Sequence, residues 1–377
     1  MYQRILQDQL RKDFFSGKII MLVGARQIGK TTLVEEILKS YTDKEILLFN
    51  GDINEHRELL SQNSLNKLEA YVAEKTIIFI DEAQKIPNIG NTLKILVDTY
   101  KKTKQIIITG SSSLNLLDQT SEPLTGRKFV YHLFSISVGE IKLTYDVKTI
   151  YDYLENLLIY GSYPAVLTQP QREEKIRLLR ELSNASLYKD ILEFQQIKNS
   201  QLILKLLKLL AFQIGTEVSL NELAGNLGMD MKTTEKYIDL LEKSFIIFRL
   251  PPYFTNKRKE LNKSNKIYFY DLGIRNSVIE NYDGLENRND VGALRENFLI
   301  VERMKKQAYS GYYGHNYFWR TYNQSEIDFI EEYDGALYSF EFKWGDKYAK
   351  IPKAFSELYP KGNFETINKD NFLSFVC

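Results

Sequence analysis

Short apolar runs alternate with amphipathic stretches through the first part of the chain. Five such runs fall within residues 18–38, 46–52, 76–84, 105–113 and 124–137. Apolar runs of this length that end in turn residues are typical of strands buried on both faces, and helices connect such strands in parallel sheets. The pattern therefore predicts an α/β domain with a parallel sheet over residues 1–140.

The middle of the chain has a different periodicity. From residue 140 to 215 the apolar positions recur at spacings of three and four, which predicts packed helices. In 219–250 a helix that starts at Ser219 and stops at Gly228 precedes a second helix and the strand FIIFRL, and KIYFYD supplies another strand. This order has the outline of a winged helix-turn-helix. We predict a helical linker with a winged helix over residues 141–275.

The last hundred residues contain a strongly alternating hairpin, EIDFIEEYDGALYSFEFKWG. If Asp334 and Gly335 are the two central residues of the turn, each residue of one strand pairs with the residue of the other strand whose number, added to its own, gives 669. Asp328 then faces Glu341, and both lie on the face opposite the aromatic core. Two acids across a ladder cost up to about 1 kcal/mol, so a cation is expected between them. Residues 276–377 form the third predicted domain.

Composition limits the classes of protein. The 377 residues carry a net charge of +1, so any contact with nucleic acid must come from a local patch. The single cysteine, Cys377, excludes a disulfide framework and a zinc cluster and fits the cytoplasm. No apolar run reaches the roughly 18 residues of a membrane span. The N-terminus is charged and amphipathic, unlike a signal peptide.

The turn after the first strand matches the phosphate-binding pattern G-x-x-x-x-G-K-[ST]. Backbone amides of such a loop surround phosphate, the lysine reaches the β- and γ-phosphates, and the hydroxyl after it meets Mg²⁺. We therefore predict ATP and Mg²⁺ as cofactors. The predicted nucleotide-binding residues are Gly24, Ala25, Arg26, Gln27, Ile28, Gly29, Lys30, Thr31 and Thr32.

Two acids end the third apolar run. Asp81 is predicted to support Mg²⁺ with Thr31, and Glu82 to activate the attacking water. The fourth run ends in serines. Ser111 or Ser112 is predicted to sense the γ-phosphate or to orient the attacking water. The alternative, equally weighted, is that the serine caps the next helix.

Arg127 precedes the fifth strand. An arginine there is a candidate finger for the site of a neighbouring subunit, which implies a homo-oligomer such as a ring. The alternative is an ordinary surface arginine.

These motifs resemble the AAA-type ATPases joined to domain-of-unknown-function family 4143. GARQIGKTTL, IIFIDEAQKIP, ITGSSS and LTGR carry the resemblance, which continues in YGSYPAVL, KIYFYDLGIRN, LRENFLIVE and FWRTYNQSEIDFI. Family members commonly have proline where this chain has Ala25. The resemblance implies an ATPase and leaves its biological role open.

The C-terminal hairpin is similar to the core of PD-(D/E)XK nucleases. In that reading Asp328, Glu341 and Glu296 from the preceding helix bind Mg²⁺, and Lys343 positions or activates water. The resemblance implies a restriction-endonuclease-like α/β domain. Alternatively, the fold only binds, and Lys343 neutralises its neighbours.

The segment between the two strands of the winged helix is basic. Its cations suit contacts with DNA phosphates, whereas the charges of the second helix are balanced and do not indicate base reading. The alternative is a solvated loop in a protein-binding wing. The predicted DNA-binding residues are Lys257, Arg258, Lys259 and Lys263, with Lys266 as a fifth cation of the segment.

Together these features predict ATP hydrolysis coupled to DNA binding or remodelling, with forks or junctions as candidate substrates. A nucleotide-dependent switch that binds protein partners and an active Mg²⁺-dependent DNA nuclease are the two alternatives.

Overall fold

The structure is a computed structural model, which describes residues 2–111, 113–187, 200–254, 264–321, 325–345 and 348–377. Its strands are β1 (Ile19–Val23), β2 (Ile46–Asn50), β3 (Ile77–Asp81), β4 (Gln105–Gly110), β5 (Lys128–His132), β6 (Ile247–Leu250), β7 (Lys266–Phe269), β8 (His315–Arg320), β9 (Glu326–Tyr333), β10 (Ala336–Phe342) and β11 (Asn363–Ile367).

The helices alternate with strands in the first part of the chain and dominate its middle. They are α1 (Leu6–Lys12), α2 (Lys30–Leu38), α3 (Asn54–Ser61), α4 (Leu65–Val72), α5 (Ile89–Tyr100), α6 (Ser113–Ser121), α7 (Val138–Lys142), α8 (Val147–Tyr160), α9 (Pro164–Leu167), α10 (Arg172–Leu187), α11 (Ser200–Phe212), α12 (Leu220–Leu227), α13 (Met231–Lys243), α14 (Leu272–Val278), α15 (Val291–Ser310), α16 (Lys353–Leu358) and α17 (Phe372–Val376). None of these helices has both the length and the apolar character needed to cross a bilayer.

The first five strands form one parallel sheet in the order β2-β3-β4-β1-β5. Along β1, Ile19, Met21 and Val23 pack into one apolar cluster, while Ile20 and Leu22 pack into another on the opposite face. Both faces are buried, which explains the unbroken apolar runs of the sequence. The predicted α/β fold with a parallel sheet is confirmed.

The order of the strands decides where the motifs meet. Strand β4 lies between β1 and β3. Because parallel strands end at one edge, the loop after β1, the acids after β3 and the serines after β4 share that edge.

The middle of the chain has the predicted helix pair and strands. The hydroxyl of Ser219 accepts a hydrogen bond from the Glu222 amide at the start of α12, and Gly228 ends this helix in a left-handed conformation. Strands β6 and β7 pair antiparallel, with Ile247 opposite Phe269. Whether these elements act as a winged helix-turn-helix stays a prediction.

The C-terminal sheet has the order β11-β10-β9-β8. Its hairpin adopts the register inferred from the sequence, since Phe340 lies opposite Phe329. Asp334 and Gly335 have φ values of 48° and 74°, the two positive values that a tight hairpin turn requires.

One apolar cluster joins all parts of the chain. It runs from β1 and α2 through α8 and α11 to α15 and α17. The three predicted domains therefore share a continuous core, although their boundaries stay predictions.

Gly161 allows a close contact inside this core. Its φ is 69°, and a Cβ atom there would lie 2.0 Å from Asp271 Oδ1 and 2.6 Å from the Gly273 nitrogen. Asp271 is buried, caps α14 by accepting from the Gly273 and Ile274 amides, and also accepts from the Ser162 amide. The glycine thus lets α8 end against the start of α14.

Gly161→Ala is expected to lower the free energy of unfolding by at least about 3 kcal/mol, because both the backbone and the Asp271 cap must shift. Gly126→Ala is the matched control. Gly126 also has positive φ, at 74°, but a Cβ atom there meets nothing within 4 Å. It should cost only about 1 kcal/mol. Equal losses in denaturant titrations would contradict the close-contact argument.

Candidate active site

The loop between β1 and α2 turns tightly into the helix. Gly24, Gln27 and Gly29 have positive φ values. A side chain at Gly24 would place its Cβ 2.2 Å from the carbonyl oxygen of Leu133, so only glycine fits beside β5. The loop ends at the N-terminus of α2, where the helix dipole favours an anion.

Lys30 folds back over this loop. Its side chain is buried, and its ammonium group donates to the carbonyl oxygens of Gly24 (3.0 Å) and Ala25 (2.8 Å). The ammonium thus lies inside the loop at the positive end of α2. A phosphate bound there would meet both charges.

Thr31 and Asp81 meet across the edge of the sheet. The threonine hydroxyl donates to Asp81 Oδ2 at 3.0 Å, while Oδ1 accepts from the Thr109 hydroxyl and, at 3.1 Å, from the Glu82 amide. The carboxylate is therefore held in one orientation beside the loop. A hydroxyl next to a fixed carboxylate suits Mg²⁺, which prefers oxygen ligands and retains several waters. These residues fit the ion that the sequence predicts.

Glu82 has a constrained backbone. Its φ is 50°, and its carbonyl oxygen would lie 2.2 Å from a Cβ atom at Gly51. The Gly51 amide in turn donates to the Asp81 carbonyl at 2.8 Å. Unusual backbone conformations of this kind persist where the surroundings enforce them and cluster at functional sites. Gly51, which sequence reasoning missed, permits this conformation.

Gln84 links Glu82 to Ser111. Its amide nitrogen donates to Glu82 Oε2 at 2.6 Å and to Ser111 Oγ at 3.0 Å, and the serine hydroxyl lies 3.3 Å from the same carboxylate oxygen. Ser111 is fully buried. Its hydroxyl therefore faces the predicted base, which favours the site-facing alternative over a helix cap. Ser112 lies outside the described residues.

Arg127 does not belong to the site of its own chain. It precedes β5, and its carbonyl pairs with Ile19 at the start of β1, so it lies at the edge of the sheet opposite the loop. Its side chain is partly exposed and forms an ion pair with Asp98, with Nε and Oδ1 2.6 Å apart. A role in a neighbouring subunit stays a prediction.

A cavity of about 510 Å³ opens beside the phosphate loop. Gly29 and Thr32 line one side, Tyr2 and Gln3 of the N-terminal segment another, and Pro164 of α9 a third. Cavities of this size hold small organic ligands, and its position beside the loop suits the nucleoside part of a nucleotide. Sequence reasoning missed it because its lining residues are spread between Tyr2 and Thr168 of the chain.

Arg4 connects the loop to the rest of the molecule. This buried guanidinium donates to the Ile28 carbonyl (3.0 Å), the Phe134 carbonyl (2.6 Å) and the Glu140 carboxylate (2.9 Å), and it lies 3.4 Å from the Tyr309 hydroxyl on α15. A planar guanidinium group, which carries several donors in a fixed geometry, suits a position that contacts several groups at once. The phosphate loop is therefore in direct contact, through one side chain, with the C-terminal part.

The acids of the C-terminal hairpin form a separate cluster. Burial, with Glu296 and Glu341 nearby, raises the pKa of Asp328 to about 8. Its Oδ2 accepts from the Phe342 amide at 2.8 Å, and Lys343 pairs with Glu341 Oε1 at 2.8 Å. The predicted residues thus lie together.

The predicted nuclease metal does not fit this arrangement. Lys266 is buried, and its ammonium lies 3.1 Å from Glu296 Oε1 and also contacts Glu326. In the described part of the chain, no group of three or more His, Cys, Asp or Glu side chains is placed to hold a metal ion. The expectation that Lys266 contacts DNA phosphate as part of the basic segment is wrong, because its charge is turned inward.

The other cations predicted to bind DNA, Lys257, Arg258, Lys259 and Lys263, lie outside the described residues. The second helix of the pair, α13, packs against α6 of the first part of the chain. Arg249 binds its Asp239 and Glu242.

Three protein families match successive parts of the chain. An AAA domain matches residues 16–142, a domain of unknown function (DUF8612) residues 151–285, and a domain of unknown function (DUF4143) residues 291–371. The loop, the sheet order and the first match define an AAA-type domain of the ATPase fold. The chain combines this domain with a DUF4143 domain, as the sequence motifs indicated.

Relatives occur in bacteria and archaea. The chain is 27% identical over 337 residues to an uncharacterized protein of Mycobacterium tuberculosis, covering 89% of this chain and 72% of that protein. It is 27% identical over 351 residues to an uncharacterized protein of Methanocaldococcus jannaschii, covering 81% and 73%.

Two solved structures are similar to parts of the molecule. The Walker-type ATPase of Pyrococcus abyssi covers 74% of this chain and 96% of its own, with 14% identity and a TM-score of 0.46. The Pif1 helicase of Candida albicans covers 48% of each chain, with 16% identity and a TM-score of 0.28.

If Gln84 orients Glu82, Gln84→Ala is expected to lower the kcat of ATP hydrolysis by about tenfold or more while changing ATP affinity little, because the carboxylate loses its amide partner. Gln62→Ala, at an exposed position, is the matched control. Steady-state turnover and nucleotide titrations measure both quantities. Unchanged kcat in a folded Gln84→Ala variant would contradict the positioning argument.

Proposed function

We propose that the protein is a Mg²⁺-dependent ATPase whose turnover is transmitted to its middle and C-terminal parts. The observation that carries the proposal is the contact between Thr31 and Asp81, 3.0 Å long, at the edge where the loop of Lys30 meets Glu82. In this proposal Lys30, Thr31, Asp81 and Glu82, which lie at this edge, carry out phosphate binding, ion binding and water activation.

Each residue has a distinct task in this proposal. Lys30 binds the β- and γ-phosphates, and Thr31 with Asp81 holds Mg²⁺, which would neutralise charge on the phosphates when bound. Glu82 accepts the proton of the attacking water. Ser111, 3.3 Å from Glu82, helps to fix that carboxylate.

Coupling to the rest of the chain is supported by two buried cations, Arg4 beside the loop and Lys305 on α15. Arg4 binds the loop carbonyl of Ile28 and reaches α15, as described above. On the same helix, Lys305 donates to Glu302 (2.7 Å), to Ser162 (3.2 Å) and to the carbonyl of Ile136 after β5 (3.2 Å). In this proposal a change in the loop reaches α15 through Arg4, which contacts both.

The proposal that DNA is the partner rests on the sequence, namely on the basic residues between β6 and β7. The proposal in its full form is ATP hydrolysis coupled to DNA binding or remodelling. Homo-oligomerisation, with Arg127 completing a neighbouring site, belongs to the same proposal and also rests on the sequence.

Glu82→Gln is expected to lower ATP turnover by about a hundredfold or more and to leave ATP bound, since binding needs Lys30 and Thr31 but hydrolysis needs the base. Glu74→Gln, an exposed position seven residues before Asp81, is the control. Nucleotide retained after gel filtration measures the trapped state. Unchanged turnover in the Glu82 variant would refute the assigned base.

The same turnover assay with single-stranded, duplex and forked DNA tests the partner. If DNA is coupled to hydrolysis, at least one form raises the rate of the wild-type chain, and the increase falls with added salt. Turnover that is indifferent to every form of DNA contradicts the DNA-coupled version and favours the nucleotide-dependent switch.

A further inference from the structure

A lysine from the middle of the chain enters the C-terminal acidic cluster. Lys266 is the first residue of β7 and is only 2% exposed. Its ammonium lies 3.1 Å from Glu296 of α15, contacts Glu326 at the start of β9, and lies 5.3 Å from the centre of the Phe318 ring on β8. Three elements of the C-terminal part, α15, β8 and β9, therefore surround a side chain that belongs to the middle part of the chain.

The charge of this lysine is well compensated. Two carboxylates, those of Glu296 and Glu326, contact the ammonium group of Lys266. The Tyr268 hydroxyl, two residues further along β7, also donates to Glu296. A buried ammonium is stable only with such partners, so the site is built around a cation.

The remaining acids complete the cluster. Asp328 and Glu341 lie beside Glu296, and Glu341 Oε2 is buried without a hydrogen-bond partner among the described residues. Glu296, Asp328 and Glu341 are the residues that the sequence pattern assigned to Mg²⁺. An ammonium group and a divalent ion compete for the same carboxylates, and Mg²⁺ needs oxygens at about 2.1 Å in octahedral order.

We propose that Lys266 is an internal cation that takes the place of a divalent ion in the acidic cluster, and that it fastens β7 to the C-terminal sheet. In this conformation the cluster binds no metal. Removing the ammonium releases Glu296 from its ion pair, so that it can turn towards Asp328 and Glu341 and the three carboxylates can rearrange around one divalent ion. The proposal goes beyond the ATPase and does not depend on it.

Binding of Mn²⁺ to the full chain, measured by electron paramagnetic resonance without nucleotide, tests this inference. Lys266→Met removes the charge but keeps the length of the side chain. It is expected to gain one Mn²⁺ site, at least tenfold tighter than any site of the wild type, and to lose this site when Asp328→Asn is added. Its melting temperature should fall without metal and recover with Mn²⁺.

Two single variants are the controls. Lys266→Arg keeps a cation in the cluster and should gain no site. Lys343→Met removes the half-exposed partner of Glu341 and should also gain none, which distinguishes the buried lysine from its neighbour. If Lys266→Met does not fold, Lys266→Met/Glu326→Gln, which removes one charge of each sign, is measured in its place.

Two results would overturn the proposal. The first is a folded Lys266→Met chain, or the double variant, with no additional Mn²⁺ site. The second is a Mn²⁺ site in the wild-type chain that Asp328→Asn abolishes, because metal and lysine would then occupy the cluster together.

Discussion

The contact between Thr31 and Asp81 is the interaction on which the account of this protein depends. It joins the first turn of α2 to the end of β3, although β4 lies between β1 and β3 in the sheet. The order of the strands makes the contact possible, and the buried faces of the sheet hold that order. The Glu82 amide donates to the fixed Asp81 carboxylate, and Gly51 leaves room for the left-handed backbone conformation of Glu82. Local chemistry at the site is therefore a consequence of the packing of the sheet.

The same packing connects the site to distant parts of the chain. One apolar core extends from the sheet to α15, and the buried cations Arg4 and Lys305 add polar contacts across it. Buried cations need several fixed partners, so these junctions have few alternative arrangements. At the far end, Lys266 of β7 forms ion pairs with Glu296 of α15 and with Glu326 of β9. The ATPase part and the DUF4143 part thus share both a core and charged contacts.

Features that depend on local sequence were predictable. The phosphate loop follows from the spacing of Gly24, Gly29 and Lys30, and the hairpin register follows from the Asp334-Gly335 turn, because each is fixed by a few neighbouring residues. Long-range pairs were not. Arg4 and Glu140 are 136 positions apart, and nothing near either residue indicates its partner. Lys266 looked like one more cation of a basic segment. Its position as the first residue of an apolar strand was the available indication that its side chain points inward.

The most direct test of the central claim is the affinity and turnover of Lys30→Ala with ATP. The lysine lies inside the loop, 2.8 Å from the Ala25 carbonyl and at the N-terminus of α2. If the loop binds a triphosphate, the variant loses most of its ATP affinity and its hydrolysis while its melting curve without nucleotide shows that it is folded. Unchanged affinity and unchanged turnover in a folded variant would contradict the account.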